Sequence, residues 1–193
     1  MSVWSWLVVG LQLASRLAYV MGVGTLLNRE KREGWFTRRY GEEEGFRRFR
    51  RIAALLMNTD GIAFALACLA TRGTLGFPGS PAIRVGIGLV AIAAGAGIKL
   101  WARRTLGPDA YYWQDFFIPS RATGPVARGP YRFLSNPMYT VGYLHAYGIA
   151  LALDSAAGLA LAAFAQAAVL VFYRLVERPH FRELEQQTRD RIV

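Results

Sequence analysis

Glu177 closes an apolar stretch and is followed at once by Arg178, Pro179 and His180. A carboxylate at the C-terminal end of a helix is disfavoured by the helix dipole. Arg178 beside it can offset that cost without any function being involved. The segment 103–136 is a second concentration of reactive types. It is rich in aromatics, glycine and proline, with Asp109 and Asp115 as its only acids. A stretch of that length without periodicity points to a functional loop or lid over a site. It ends on Asn136-Pro137, good chemistry for starting a helix, with Asn as cap and Pro in the first turn. Gly95-Ala96-Gly97 is a third candidate. It is no dinucleotide fingerprint, since Leu100 stands where the third glycine would fall. Small residues in an apolar helix let neighbouring helices approach closely, and they also let a ligand reach the backbone. His145 lies within an apolar stretch, where packing is the commoner role. The single cysteine, Cys68, lies in another and excludes an intrachain disulfide or a cysteine metal cluster.

These residues need a scaffold, and the composition says which kind. Of 193 residues, 53% are hydrophobic and 19% charged, below the roughly one quarter charged of a soluble domain. Five stretches, 3–27, 52–70, 82–102, 138–153 and 156–176, are long enough or nearly so to cross a bilayer. The fourth is short, and only Asp154-Ser155 separates it from the fifth, so these two form a tight helical hairpin. The expected fold is an all-α polytopic membrane bundle of about five spans in one membrane domain. Residues 1–81 supply the first spans and a basic loop, and 82–193 supply the chemical core. The N-terminus lacks the basic start of a cleavable signal, and Arg16 interrupts its apolar run.

The formal net charge of +10 could suit nucleic acid, but its distribution favours lipid. Residues 28–51 carry nine basic side chains, 99–136 six and 174–193 five, together 20 of the 23, and the alternate connections hold almost none. Basic loops face the cytoplasm, which puts the N-terminus outside and the C-terminus inside. In 28–51 the aromatics Trp35, Phe36, Tyr40, Phe46 and Phe49 alternate with arginines. Such a segment lies in the headgroup layer, its rings in the boundary and its arginines on anionic lipid phosphates. Arg16, midway along the first span, either faces the bundle interior or snorkels to an interface.

Taken in order, Gly95-Ala-Gly97, Leu106-Gly107, Trp113-Gln-Asp115-Phe-Phe, Asn136-Pro-Met-Tyr139 and Glu177-Arg-Pro resemble the phosphatidylethanolamine N-methyltransferases. More broadly they resemble the membrane methyltransferases that include the isoprenylcysteine carboxyl methyltransferases. The likeness covers residues 90–190. It implies an S-adenosylmethionine-dependent methyltransferase acting on a lipid acceptor, most directly an ethanolamine headgroup. Gly95 and Gly97 would approach the cofactor, with Arg128, Tyr131, Arg132, Asn136, Pro137, Tyr139, Glu177 and Arg178 around it. Where the family has a second glutamate this chain has Arg178, and Ser135-Asn136-Pro137 replaces the Arg-His-Pro of the carboxyl methyltransferases.

The residue chemistry agrees with that likeness. Glu177 can accept from hydroxyls or an ammonium, Arg128 or Arg132 can hold a carboxylate, and the Tyr139 face suits a sulfonium. An amine acceptor must lose a proton, which Asp115 or His145 could take. Three alternatives stay open on sequence: isoprenoid or carboxyl O-methyl transfer, an NADPH-dependent reductase of the steroid-reductase type, and a non-catalytic membrane scaffold.

Overall fold

The structure is a computed structural model that describes residues 2–76, 79–121, 126 and 128–190, with side chains to residue 186. The basic tail expected through Arg191, and part of the 103–136 loop, lie outside these.

Among the described residues seven α-helices carry the fold: α1 (Val3–Glu33), α2 (Thr37–Tyr40), α3 (Glu42–Ala70), α4 (Pro81–Leu106), α5 (Leu144–Ala152), α6 (Ala156–Phe172) and α7 (Arg178–Asp190). Among the described residues there is no strand. Their ends obey local rules. Ser2, Ser80 and Ser155 each cap a helix by accepting a backbone N–H, and Pro81 opens α4 where a missing donor costs nothing. Gly34 ends α1 in the left-handed region. Glu30 then accepts from the backbone of Phe36 at 2.7 Å and Thr37 at 3.3 Å, so a buried carboxylate folds the turn into α2.

Four helices are long and apolar enough to cross a membrane: Val3–Glu33, Glu42–Ala70, Pro81–Leu106, and Ala156–Gln186 running through α6 into α7. The fifth expected span is shorter than 138–153. Asn136 does cap, its Oδ1 accepting from Tyr139 N at 3.1 Å, but the residues after it form a turn, and regular apolar helix covers only Val141–Ala152. At 1.5 Å per residue that is about 18 Å, against about 30 Å of hydrocarbon. The hairpin beyond it is tight as expected, with Asp154 left-handed at φ 57°.

α1 packs on α3 and α6, and α4 is held by α5 and the turns around it, with no substantial contact to α1 or α3. The buried residues of α4 are Gly88, Gly95 and Ala102, small residues seven apart on one seam. A Cβ on Gly88 would lie 2.8 Å from the carbonyl of Gly148, and one on Gly95 would run into the backbone of His145. The two helices therefore meet backbone to backbone. At the end holding Asp154, Thr71 and Ser155 hydroxyls are 2.6 Å apart, Thr74 and Leu75 N–H groups donate to the Asp154 carbonyl, and Arg84 pairs with Asp154 at 2.5 Å.

The segment 28–51, expected as a loop, is helical except at 34–36 and Gly41, and it differs from an interfacial raft in a further respect. Phe36, Phe46 and Phe49 point inward and pack on Phe117, while Trp35 stays exposed. Arg50 pairs with Asp109 at 2.7 Å and Arg121 with Glu43 at 2.6 Å, which ties this segment to the later loop. Apolar burial of three phenylalanine side chains, about 1.5–3 kcal/mol each, outweighs a place at a boundary.

Candidate active site

Where α5 stops short, the described residues of 107–140 carry a chain of single 3₁₀ turns. The turn Gln114–Phe116 buries all three of its residues, and Gly129–Arg132 buries Pro130. Gly129, at φ 58°, lets the latter turn press against Thr105 and Trp101 of α4, which seats Tyr131. Trp113 is itself left-handed, φ 58°. A bulky residue there costs about 1–3 kcal/mol unless its surroundings over-determine it. They do: the indole packs edge-on against Phe49 and Phe172, and its N–H donates to Glu177 Oε1 at 2.8 Å.

Glu177 is the centre of this region. It is buried at the end of a π-helical segment, Tyr173–Glu177, between α6 and α7. Widened turns of that kind gather at functional sites because they re-aim the side chains after them. Tyr139 also donates to Glu177 Oε1, at 2.6 Å, so both donors share one oxygen and Oε2 takes neither. Burial, and then the nearby Glu177 carboxylate, hold the Tyr139 hydroxyl well above the ordinary tyrosine range, so it remains a donor. Burial raises Tyr131 and Tyr111 as well. His180 stacks on Phe116 at 3.7 Å and pins the loop onto α7.

A cavity of about 460 Å³ opens beside Glu177. Asp115, Tyr131, Asn136, Tyr139, Glu177 and Arg178 of the expected residues line it. Tyr131 presents a buried hydroxyl with no partner among the described residues. Arg182 and Glu185 line it too and were not anticipated. Their signal was present in the sequence: 177, 181 and 185 fall four apart, as do 178 and 182, one helical face each. Glu185 thereby brings a third carboxylate to the lining, after Glu177 and Asp115, with Arg178 and Arg182 beside it.

Other expected residues lie elsewhere. Pro137 is fully buried in the turn below and Arg128 and Arg132 are exposed, none of them lining the cavity. Gly95 serves the α4–α5 seam, and Gly97 faces open space. His145 lines a second cavity of about 250 Å³ that shares Tyr111, Trp113, Met138 and Tyr139 with the first. Tyr139 thus stands in the partition between them. Arg16 faces inward, pairs with Asp60 at 2.5 Å and donates to the Tyr143 hydroxyl at 3.1 Å.

The phospholipid methyltransferase family model matches residues 83–186. The phosphatidylethanolamine N-methyltransferase of Pyrenophora tritici-repentis is 36% identical over 141 residues, 70% of this chain and 15% of that one. That of Botryotinia fuckeliana is 32% identical over 136 residues, 68% of this chain and 14% of that one. That of Schizosaccharomyces pombe is 32% identical over 139 residues, 69% and 15%. The chain therefore spans about one-seventh of the length of these relatives. No solved structure matches.

Proposed function

The chain belongs to the phospholipid methyltransferase family, and from that premise we propose that it transfers a methyl group from S-adenosylmethionine to the amine of a phospholipid headgroup, ethanolamine first. The observation that carries the reading is Glu177, a buried carboxylate fixed through one oxygen by Trp113 and Tyr139 at the wall of a cavity large enough for a nucleoside.

The donor set fits a molecule carrying both charges and hydroxyls. Glu177 Oε2 and the unpartnered Tyr131 hydroxyl suit ribose and amino groups. Arg178 or Arg182 can hold a carboxylate, the place first expected of Arg128 or Arg132. Bound there, the cofactor supplies a methyl carbon on sulfonium; the amine lone pair forms the N–C bond as the C–S bond breaks and its electrons stay on sulfur.

The chain's own work is to align, dry and deprotonate. Tyr139 and Trp113 offer aromatic faces where the two cavities meet, which suits a cationic reacting centre. The incoming ammonium must first become a neutral amine. His145 Nδ1 lies 2.6 Å from the Gly142 carbonyl and donates to it, which leaves the Nε2 lone pair on the acceptor side. His145 is thus better placed than Asp115, which lines the cofactor cavity.

The same reading puts the cavities on the cytoplasmic side, where the basic loops belong. Exposed Arg38, Arg39 and Arg51 around Trp35 remain suited to anionic headgroups even with three phenylalanines turned inward.

The test is thermal stabilisation of detergent-purified protein by S-adenosylhomocysteine against NADPH. Stabilisation by the former, weakened about tenfold or more in Glu177→Gln as a charged hydrogen bond requires, is the expected result. Stabilisation by NADPH alone would overturn the reading. Incubating labelled cofactor with total lipid then identifies the acceptor, and label appearing only in non-phospholipid species would reject the ethanolamine assignment.

A further inference from the structure

The second cavity holds more charge than packing explains. Arg16 and Asp60 form their ion pair in its wall, deep in the spanning region, yet Arg16 Nε, Asp60 Oδ1 and the neighbouring Gln12 Oε1 are buried without partners. Lys99 lines the same cavity. Its Nζ sits 3.5 Å from His145 Nε2 and 5.2 Å from the Tyr143 ring, with no salt bridge to it among the described residues. Two cations thus face one carboxylate. An excess positive charge at such depth is costly, and the cost is relieved when an anion joins the cluster.

The cavity also has a side door. α4 makes no substantial contact with α1 or α3, and Asn58 and Gly61 of α3, which line the cavity, are exposed. Its mouth therefore lies between α3 and α4, on the face that acyl chains cover. An anion arriving that way comes attached to a lipid.

We infer that this cavity receives the headgroup of the acceptor lipid, its phosphodiester held by Lys99 and Arg16 and its amine turned to Tyr139. The assignment rests on the methyl-transfer reading and specifies its acceptor. Asp60, itself hydrogen-bonded by Gln12, keeps the Arg16 guanidinium oriented, and the phosphodiester's single negative charge balances the cluster. Once the phosphodiester draws Lys99 Nζ away from His145 Nε2, that nitrogen can take the ammonium proton, and the freed amine lone pair would form the N–C bond as the C–S bond breaks. Lipids without a phosphate leave Lys99 unpaired and are rejected for that reason.

Retention of short-chain phosphatidylethanolamine and of the matching diacylglycerol by detergent-purified protein, read by native mass spectrometry, tests this. Wild type is expected to retain the phospholipid about ten- to a hundredfold better, and Lys99→Gln to lose that preference while still binding S-adenosylhomocysteine as wild type does. Equal retention of the two lipids by wild type overturns the assignment, and needs no variant to be folded. A preference undiminished in Lys99→Gln also overturns it. Displacement of the lipid by excess inorganic phosphate would give the site to free phosphate instead. Failure of S-adenosylhomocysteine to bind wild type while the lipid preference stands would sink the cofactor reading and leave the phosphate site intact.

Discussion

At the scale of single residues, the site trades stability for chemistry. Tyr131 keeps a buried hydroxyl without a partner, and an unsatisfied group of that kind costs about 1–3 kcal/mol. Tyr131→Phe is therefore expected to leave the melting temperature unchanged or higher while weakening S-adenosylhomocysteine binding; a lower melting temperature with unchanged binding would mean the hydroxyl serves the fold. Burial raises Tyr111, Tyr131 and Tyr139. Their neutral forms belong to the folded state, so their contribution is whole below the unfolded tyrosine pKa, about 10, and is lost as pH rises above it. Thermal unfolding followed from about pH 8 to about pH 11 should decline only in the upper part of that range, and Tyr139→Phe should decline less.

At the scale of elements, the α4–α5 seam depends on the absence of side chains. Gly95→Leu would drive a side chain into the His145 backbone and should destabilise by about 1–3 kcal/mol, as overpacking does. Gly97→Ala, two residues on and facing open space, should stabilise slightly, by about 0.5–1 kcal/mol, because alanine suits a helix interior better. Unfolding of the two variants in detergent separates a packing role from a cofactor role for this pair. The sequence made four long helices, the hairpin at Asp154 and the small-residue seam legible, because hydropathy, a two-residue connection and glycine spacing are local signals. It made Glu177 visible through its odd place at a helix end. Lys99, Asp60 and Gln12 were illegible as a group, because α4, α3 and α1 supply one each and no local pattern links them. That the fourth span is short was legible, but not by how much: the apolar run continues through Met138, Tyr139 and Val141, and the local bond to Asn136 with the long-range bond from Tyr139 to Glu177 accompanies a turn there.

At the scale of the molecule, the family match begins at residue 83, whereas Arg16 and Asp60 come from helices before it. The wall proposed for the cofactor and part of the wall proposed for the acceptor thus come from separate parts of the chain. Exchanging residues 1–80 for the corresponding spans of a relative is expected to alter which lipid gains label while leaving S-adenosylhomocysteine affinity within about threefold, since additivity holds between independent sites. A parallel loss of both would join the two cavities into one unit.

The half-height α5 also bears on how the protein lives in an energised membrane. Two cavities reach from one face to about the middle of the bundle, so insulation falls entirely on the other half. There Gly88 meets Gly148, and a Cβ on Gly158 would lie 2.7 Å from Cys68 Sγ, contacts too close for a file of water. Thr71, Ser155, Asp154 and Arg84 close the end beyond them. In a membrane that bears a voltage, that half would act as an electrical septum about one short helix thick. Vesicles containing the protein should hold a proton gradient as long as empty ones do, and widening the septum at Gly148 or Gly158 should discharge it.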